Sequence, residues 1–110
     1  MLFLVELDHV KSGAPMTPDA GRAFIEHIIF PTLARAEQLV AEKKIVGGGP
    51  AVGRIALRFI VEAASAADVD QLISSLPVWP LAETRVTPLV SFGERRQGLQ
   101  RLLDNLGSRP

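Results

Sequence analysis

The chain has 110 residues, of which 47% are hydrophobic, and its 12 basic and 12 acidic residues give a net charge of zero. A chain of this length is typical of one domain, and we expect a single domain over residues 1–110. Because no excess of basic residues is available to neutralise phosphates, nucleic acid is not an expected partner. The sequence contains no cysteine, which excludes disulfide bonds, thiolate metal sites and a cysteine nucleophile.

The sequence also predicts the cellular location of the protein. The N-terminal segment is apolar, but Glu6 and Asp8 interrupt it and no basic segment precedes it, so a signal peptide is not expected. No apolar run approaches the roughly 18 residues that a membrane span needs. A cysteine-free chain fits the cytosol, and we expect a cytoplasmic protein with no membrane partner. The mean hydropathy of +0.23 is high for so short a chain, and it indicates either unusually good packing of the domain or apolar surface that a partner covers.

The first half of the chain predicts a strand and a long helix. Leu2–Leu7 is rich in residues that favour a half-buried strand. Lys11–Met16, which contains Gly13 and Pro15, is expected to be a loop. Thr17 is followed by proline and aspartate, a combination that caps a helix start and complements its dipole. We expect this helix to run to about Glu42, with a break or kink at Pro31, because proline has no N–H for the carbonyl four residues before it.

The middle of the chain predicts two further strands. Lys44–Val46 fits a short strand that leads into a turn or bulge at Gly47–Gly49. This glycine run does not fit a phosphate cradle, because no Lys-Ser/Thr pair follows and the next element is a strand. Arg54–Glu62 alternates clearly, with one face formed by Ile55, Leu57, Phe59 and Val61.

The last third predicts a helix, a strand and a final helix. Ser65 with an acidic residue three positions later starts a helix over Ala66–Leu76. Thr84–Val90 is expected to be the fourth strand. Ser91 with Glu94 repeats the capping signal, and the helix that follows has an apolar stripe formed by Leu99, Leu102, Leu103 and Leu106.

The order β-α-β-β-α-β with an added C-terminal helix predicts a ferredoxin-like α+β fold, in which helices cover one face of an antiparallel sheet. Strand alternation assigns the other face a mixed apolar and charged set: Leu2, Leu4 and Glu6, then Arg54, Ala56, Arg58 and Ile60, then Arg85, Thr87 and Leu89. Such a face is too apolar to remain in water. We therefore expect two sheets to pack back to back in a homodimer or larger homo-oligomer.

His27 is the first candidate functional residue. Its neighbours at helical spacing are apolar, namely Ala23, Phe24, Phe30 and Pro31. A histidine in such surroundings fits a proton carrier or a lone cofactor ligand, and it also fits a core histidine bonded to a backbone carbonyl. His9 is interpreted as a solvated loop residue just after the first strand. Two histidines so far apart, without a carboxylate at ligand spacing, do not predict a metal site.

A second candidate group lies on the mixed sheet face. Glu6, Arg58 and Arg85 are expected to converge there, where the arginines would bind a small carboxylate and Glu6 would act as general base. The alternative is an ion network at a subunit interface, with no substrate.

Segments of the sequence resemble the muconolactone Δ-isomerase family. Ser75–Leu89 contains Leu-Pro-Val-Trp-Pro, similar to the Leu-Pro-Leu-Phe-Pro segment of that family, and then a strand ending in Val-x-x-Leu. Met1–Val5 is also similar, and from Glu42 to Leu89 the two patterns align without a gap, with Gly53 and Ser65 on family positions. The resemblance implies a dimeric α+β barrel, commonly assembled into rings, that shifts a double bond in a small unsaturated lactone acid.

The function expected from this resemblance is binding or isomerisation of a small organic acid, lactone or ring compound, without metal, nucleotide or other cofactor. If the protein is an enzyme, His27 or Glu6 is the expected proton carrier, and Arg58 and Arg85 are the expected carboxylate anchors. Two alternatives remain. One is a non-catalytic ligand-binding or assembly protein, and the other is a cofactor-free oxygenase or haem-handling protein on the same fold.

We expect little or no turnover of muconolactone itself. The family has a histidine directly after Met-Leu-Phe, where this chain has Leu4, and an aromatic, basic run where this chain has Ile45–Pro50. Aliphatic side chains and glycine cannot transfer the proton that isomerisation requires. The absorbance change of purified protein mixed with muconolactone measures this directly. A rate of about 1 s⁻¹ or more, the lower end of ordinary enzymes, would contradict the expectation.

Overall fold

The computed structural model describes residues 1–10 and 16–107. Its elements are β1 (Leu2–His9), α1 (Pro18–Phe24), a π-helical segment (Ile25–Ile29), α2 (Phe30–Ala41), β2 (Ile45–Pro50), β3 (Ala56–Glu62), α3 (Ala66–Ser74), a 3₁₀ turn (Trp79–Leu81), β4 (Ala82–Leu89) and α4 (Phe92–Gly107). The predicted βαββαβ order with an added C-terminal helix is confirmed. The loop predicted at Lys11–Met16 lies, apart from Met16, outside the described residues.

The four strands form one antiparallel sheet in the order β2-β3-β1-β4, so β1 lies between two neighbours. Its odd-numbered residues Phe3, Val5 and Leu7 are buried on the face that the helices cover. The same core contains Phe59 and Val61 from β3, Leu39 from α2, and Val69, Leu72 and Ile73 from α3. The hydrophobic core therefore lies between one face of the sheet and the helices.

The even-numbered residues of β1 lie on the opposite face. Leu4 pairs with Ile60 and Thr87, and Glu6 pairs with Arg58 and Arg85. The mixed face predicted from strand alternation is thus confirmed for these positions, whereas Arg54 precedes β3 and lies in the turn before it. No described helix contributes to this face, because the core residues of the helices all belong to the other side of the sheet.

The predicted long helix begins as expected, but it is not one kinked helix. Thr17 caps α1, since its Oγ1 accepts a hydrogen bond of 3.1 Å from the Ala20 N–H. The irregularity precedes Pro31 and is a complete π-helical segment, in which the Phe30 N–H donates to the Ile25 carbonyl. Proline has no N–H to continue the α-helical pattern, so the chain inserts an extra residue per turn at this point.

The glycine run is part of a strand and not a turn. β2 extends through Gly47–Gly49 to Pro50 and contains a bulge between Ile45 and Gly47, so the predicted bulge is confirmed and the predicted turn is wrong. The turn follows at Val52 and Gly53. Strand pairing tolerates the glycines because β2 is an edge strand. The other element boundaries agree with the sequence prediction to within two residues.

The C-terminal helix α4 extends away from the rest of the molecule. Its start is capped by Ser91, whose Oγ accepts a hydrogen bond of 3.0 Å from the Glu94 N–H. None of its residues is buried. The radius of gyration of 18.9 Å exceeds the value of about 13 Å typical of a compact domain of this length. The protomer therefore leaves the leucine stripe of α4 in solvent.

Replacing Gly48 with alanine is expected to destabilise the protein. Gly48 has φ +105°, and a Cβ at this position would collide with the Arg58 carbonyl and the Phe59 Cα on β3. A residue forced into this backbone region costs about 1–3 kcal/mol, apart from the collision. Urea unfolding of Gly48→Ala should show at least this loss. Gly49→Ala is the matched control, because nothing lies within 4 Å of the place that its new methyl group would occupy. Equal unfolding midpoints for the two variants would contradict the prediction.

Candidate active site

A cavity of about 410 Å³ lies between the helices and the sheet, at the end of β1 that carries His9. Its walls are mostly apolar and include Leu7, Phe24, Ile25, Ile29, Leu33, Ile55, Leu57, Val78 and Ala82. Among the described residues that line it, the polar side chains are those of His9, Thr32 and Arg54. An apolar cavity of this size with a few polar groups is typical of a site for a small organic ligand.

A second depression of about 450 Å³ lies between α2, α3 and the end of β3. Charged side chains line it, namely Arg35, Lys44, Glu62 and Asp68. Arg35 is already engaged, since its Nε donates to Ser75 Oγ at 3.2 Å and its Nη1 donates to Gln38 Oε1 at 3.0 Å. This depression is an open surface groove with charged walls. The apolar cavity is therefore the better candidate for a site that removes a substrate from water.

His9 is the polar group that the sequence interpretation missed. It is the last residue of β1 and is half-buried, so its assignment as a solvated loop residue is wrong. Strand alternation places it on the same face as Leu7, and its ring packs against Phe24 with the centroids 4.9 Å apart and the planes at 44°. Extending the predicted strand by two residues would have identified His9 from the sequence, because Phe3, Val5 and Leu7 already define this face.

The π-helical segment shapes the wall opposite the sheet. Ile25 and Ile29 both line the cavity. In the first turn of α2, the buried Thr32 donates a hydrogen bond of 2.7 Å to the Ile28 carbonyl. The same hydroxyl accepts a hydrogen bond of 3.1 Å from the Val78 N–H and so fixes the chain just before the 3₁₀ turn. Single π turns within α-helices occur often at functional sites.

Arg54 is held at the cavity by a chain of ion pairs. Its Nη2 lies 2.8 Å from Asp8 Oδ1, and the same carboxylate oxygen lies 3.0 Å from Nη2 of Arg58. Arg58 in turn places its Nε 3.4 Å from Oε1 of Glu6. The chain therefore connects the rim of the cavity with the opposite face of the sheet. Arg54 retains a largely exposed guanidinium that can also bind an anionic ligand.

Three of the four predicted site residues share the open face of the sheet, and the fourth, His27, lies apart from them. Glu6 and Arg58 are paired as expected, and Arg85 lies opposite Glu6 in the strand register, but all three are on the face away from the cavity. His27 is exposed and does not line the cavity, so its interpretation as a core histidine is wrong. No observation tests the catalytic roles of His27 and Glu6 or the anchoring roles of Arg58 and Arg85, and these remain predictions.

Within residues 1–10 and 16–107, no three His, Asp or Glu side chains are grouped so that they could hold a metal ion. Over the same ranges, no helix combines the length and apolar character needed to cross a bilayer.

Comparison with known proteins identifies relatives that share this fold. A solved structure of muconolactone isomerase superposes with a TM-score of 0.67 at 22% identity, covering 83% of this chain and 90% of that one. A second is the 5-chloro-2-hydroxyhydroquinone dehydrochlorinase TftG from Burkholderia phenoliruptrix AC1100, in complex with 2,5-dihydroxybenzoquinone. Its TM-score is 0.62 at 24% identity, covering 86% of this chain and 98% of that one. At these identities the two structures establish the fold, an α+β sheet-and-helix architecture of the dimeric α+β barrel type.

The family assignment comes from the sequence itself. None of the curated proteins matches the chain significantly. The family model described as muconolactone delta-isomerase matches residues 1–95, which include all four strands and the first turn of α4. The chain therefore belongs to the muconolactone delta-isomerase family.

Proposed function

We propose that this protein binds a small oxygenated ring compound in the apolar cavity and transfers a proton on it. His9 is the proton carrier, and Arg54 anchors an acidic oxygen of the ligand. The strongest support is that, among the described residues that line the cavity, only His9 and Arg54 have ionisable side chains. The volume of about 410 Å³ suits a compound of one ring with small substituents.

The two structural relatives support the choice of chemistry. One is named as an isomerase of a lactone and the other as a dehydrochlorinase of a hydroxyhydroquinone, bound to a dihydroxybenzoquinone. Isomerisation and loss of hydrogen chloride both require that a proton leave a small oxygenated ring. A positioned general base supplies typically 10²–10⁴-fold of the rate of such a step.

His9 has the properties that this role requires. One imidazole nitrogen can accept a proton while the other donates a hydrogen bond, so histidine is the commonest general acid–base group. The ring is positioned by its contact with Phe24, and no other described residue hydrogen-bonds either of its nitrogens, so both are available to a ligand. The apolar walls around it lower the local dielectric constant, which strengthens electrostatic interactions with a bound anion.

Binding of single-ring acids and hydroxyquinones, including 2,5-dihydroxybenzoquinone, tests the site. Calorimetric titration should show that Arg54→Gln weakens binding about tenfold, because an ionic hydrogen bond is lost at a partly exposed position. His9→Asn should leave binding within a few-fold and lower turnover by about 10²–10⁴-fold.

Two matched controls separate the cavity from the alternative site. Arg85→Gln and His27→Ala change the same residue types outside the cavity and should leave binding and turnover unchanged. If Arg85→Gln weakened binding while Arg54→Gln did not, the ligand would lie on the sheet face and the proposal would be wrong.

The open face of the sheet supports the further proposal of a homodimer formed by two sheets packed face to face. Its apolar residues Leu2, Leu4, Ile60 and Leu89 lie beside Glu6, Arg58 and Arg85, so a twofold axis can bring opposite charges together. Dimer formation would cover an apolar face that no described helix covers.

Sedimentation at micromolar concentration should give a multiple of the protomer mass of 11.9 kDa. Leu4→Glu places a charge in the centre of the open face and should dissociate the dimer. Val52→Glu is the matched control, since Val52 is fully exposed in the turn between β2 and β3. A wild-type protein that sediments as a monomer would exclude this arrangement.

A further inference from the structure

The four leucines of α4 are spaced symmetrically along the helix. Leu99 and Leu102 are three positions apart, as are Leu103 and Leu106, and the central two are adjacent. The spacing is therefore the same when the helix is read in the opposite direction. All four lie on one stripe, and they are between 50% and 61% exposed.

We propose that α4 pairs antiparallel with α4 of a second copy of this chain, about a twofold axis between Leu102 and Leu103. This contact is additional to the sheet-to-sheet dimer and does not depend on it. In this register Leu102 lies opposite Leu103 of the other copy, and Leu99 lies opposite Leu106. Each leucine that one copy exposes thus meets a leucine, as an interface between identical surfaces requires.

The charges on α4 favour the antiparallel arrangement. Arg95 and Arg96 flank the N-terminal end of the leucine stripe. Antiparallel pairing places Arg95 and Arg96 of the two copies at opposite ends of the contact, about 20 Å apart along the helices. Parallel pairing would place these arginines beside the same arginines of the partner, where like charges repel. Arg101 and Asp104 point to the opposite side of the helix and remain in solvent.

The position of α4 in the protomer leaves room for this contact. The helix extends from the end of β4 and buries none of its residues against its own chain. Its ten residues from Gly98 to Gly107 span about 15 Å, enough for the four leucines to pack between two helices. A contact of this length adds to a larger interface and would join sheet-paired dimers into a higher oligomer.

Single cysteines test the register, because the natural chain has none. Under mild oxidation, Leu102→Cys alone and Leu103→Cys alone should cross-link to themselves, since both lie next to the axis. Leu99→Cys alone should not, because the two copies of residue 99 are about 10 Å apart along the helix and a disulfide spans Cα atoms at most about 7 Å apart. A mixture of Leu99→Cys with Leu106→Cys should cross-link between the two variants.

The oligomer mass supplies an independent measurement. Leu102→Glu with Leu103→Glu should lower the sedimenting mass at least twofold from that of the wild type, and Arg101→Glu on the opposite side should not. Neither change is expected to affect folding, because α4 buries no residue. Equal self-cross-linking at positions 99, 102, 103 and 106 would indicate parallel helices and overturn the proposal. Equal masses for wild type and the double variant would also overturn it.

Discussion

The position of β1 in the middle of the sheet is the constraint on which the rest of the structure depends. Its register with β3 and β4 fixes which residues face the helices and which face away. Odd-numbered residues form the core and end in His9 at the cavity, whereas even-numbered residues form the open face and include Glu6. A shift of one residue would exchange the two faces, so core, cavity and proposed dimer surface all follow from one strand.

The helix above the sheet is irregular where it forms a wall of the cavity. Pro31 cannot continue the α-helical hydrogen bonding, and the π segment before it carries two isoleucines of the cavity wall. Thr32 compensates locally, since its hydroxyl satisfies the Ile28 carbonyl and the Val78 N–H. A backbone irregularity is thus stabilised by a buried polar side chain, and the result is one apolar wall of the cavity.

The two faces of the sheet are electrostatically connected. Asp8 contacts Arg54 at the cavity and Arg58, which contacts Glu6 on the open face. Most of these side chains are only partly buried, so the pairs contribute little to stability and serve mainly to orient the guanidinium groups. Asp8 on the central strand β1 holds Arg54 at the cavity. A substitution of Arg58 on the open face would therefore alter the position of Arg54 through their shared partner Asp8.

The sequence by itself determined the order of the elements, the helix caps at Thr17, Ser65 and Ser91, and the two faces of the sheet, because each depends on local spacing and hydrogen bonding. It also contained the signal for His9, whose alternation with Leu7 needed only a longer strand. Only the tertiary structure decided that Arg54 lies at the cavity, that His27 is exposed and that Gly47–Gly49 pairs as a strand. These features depend on contacts between residues far apart in the chain and on the space left between sheet and helix, which no local pattern encodes.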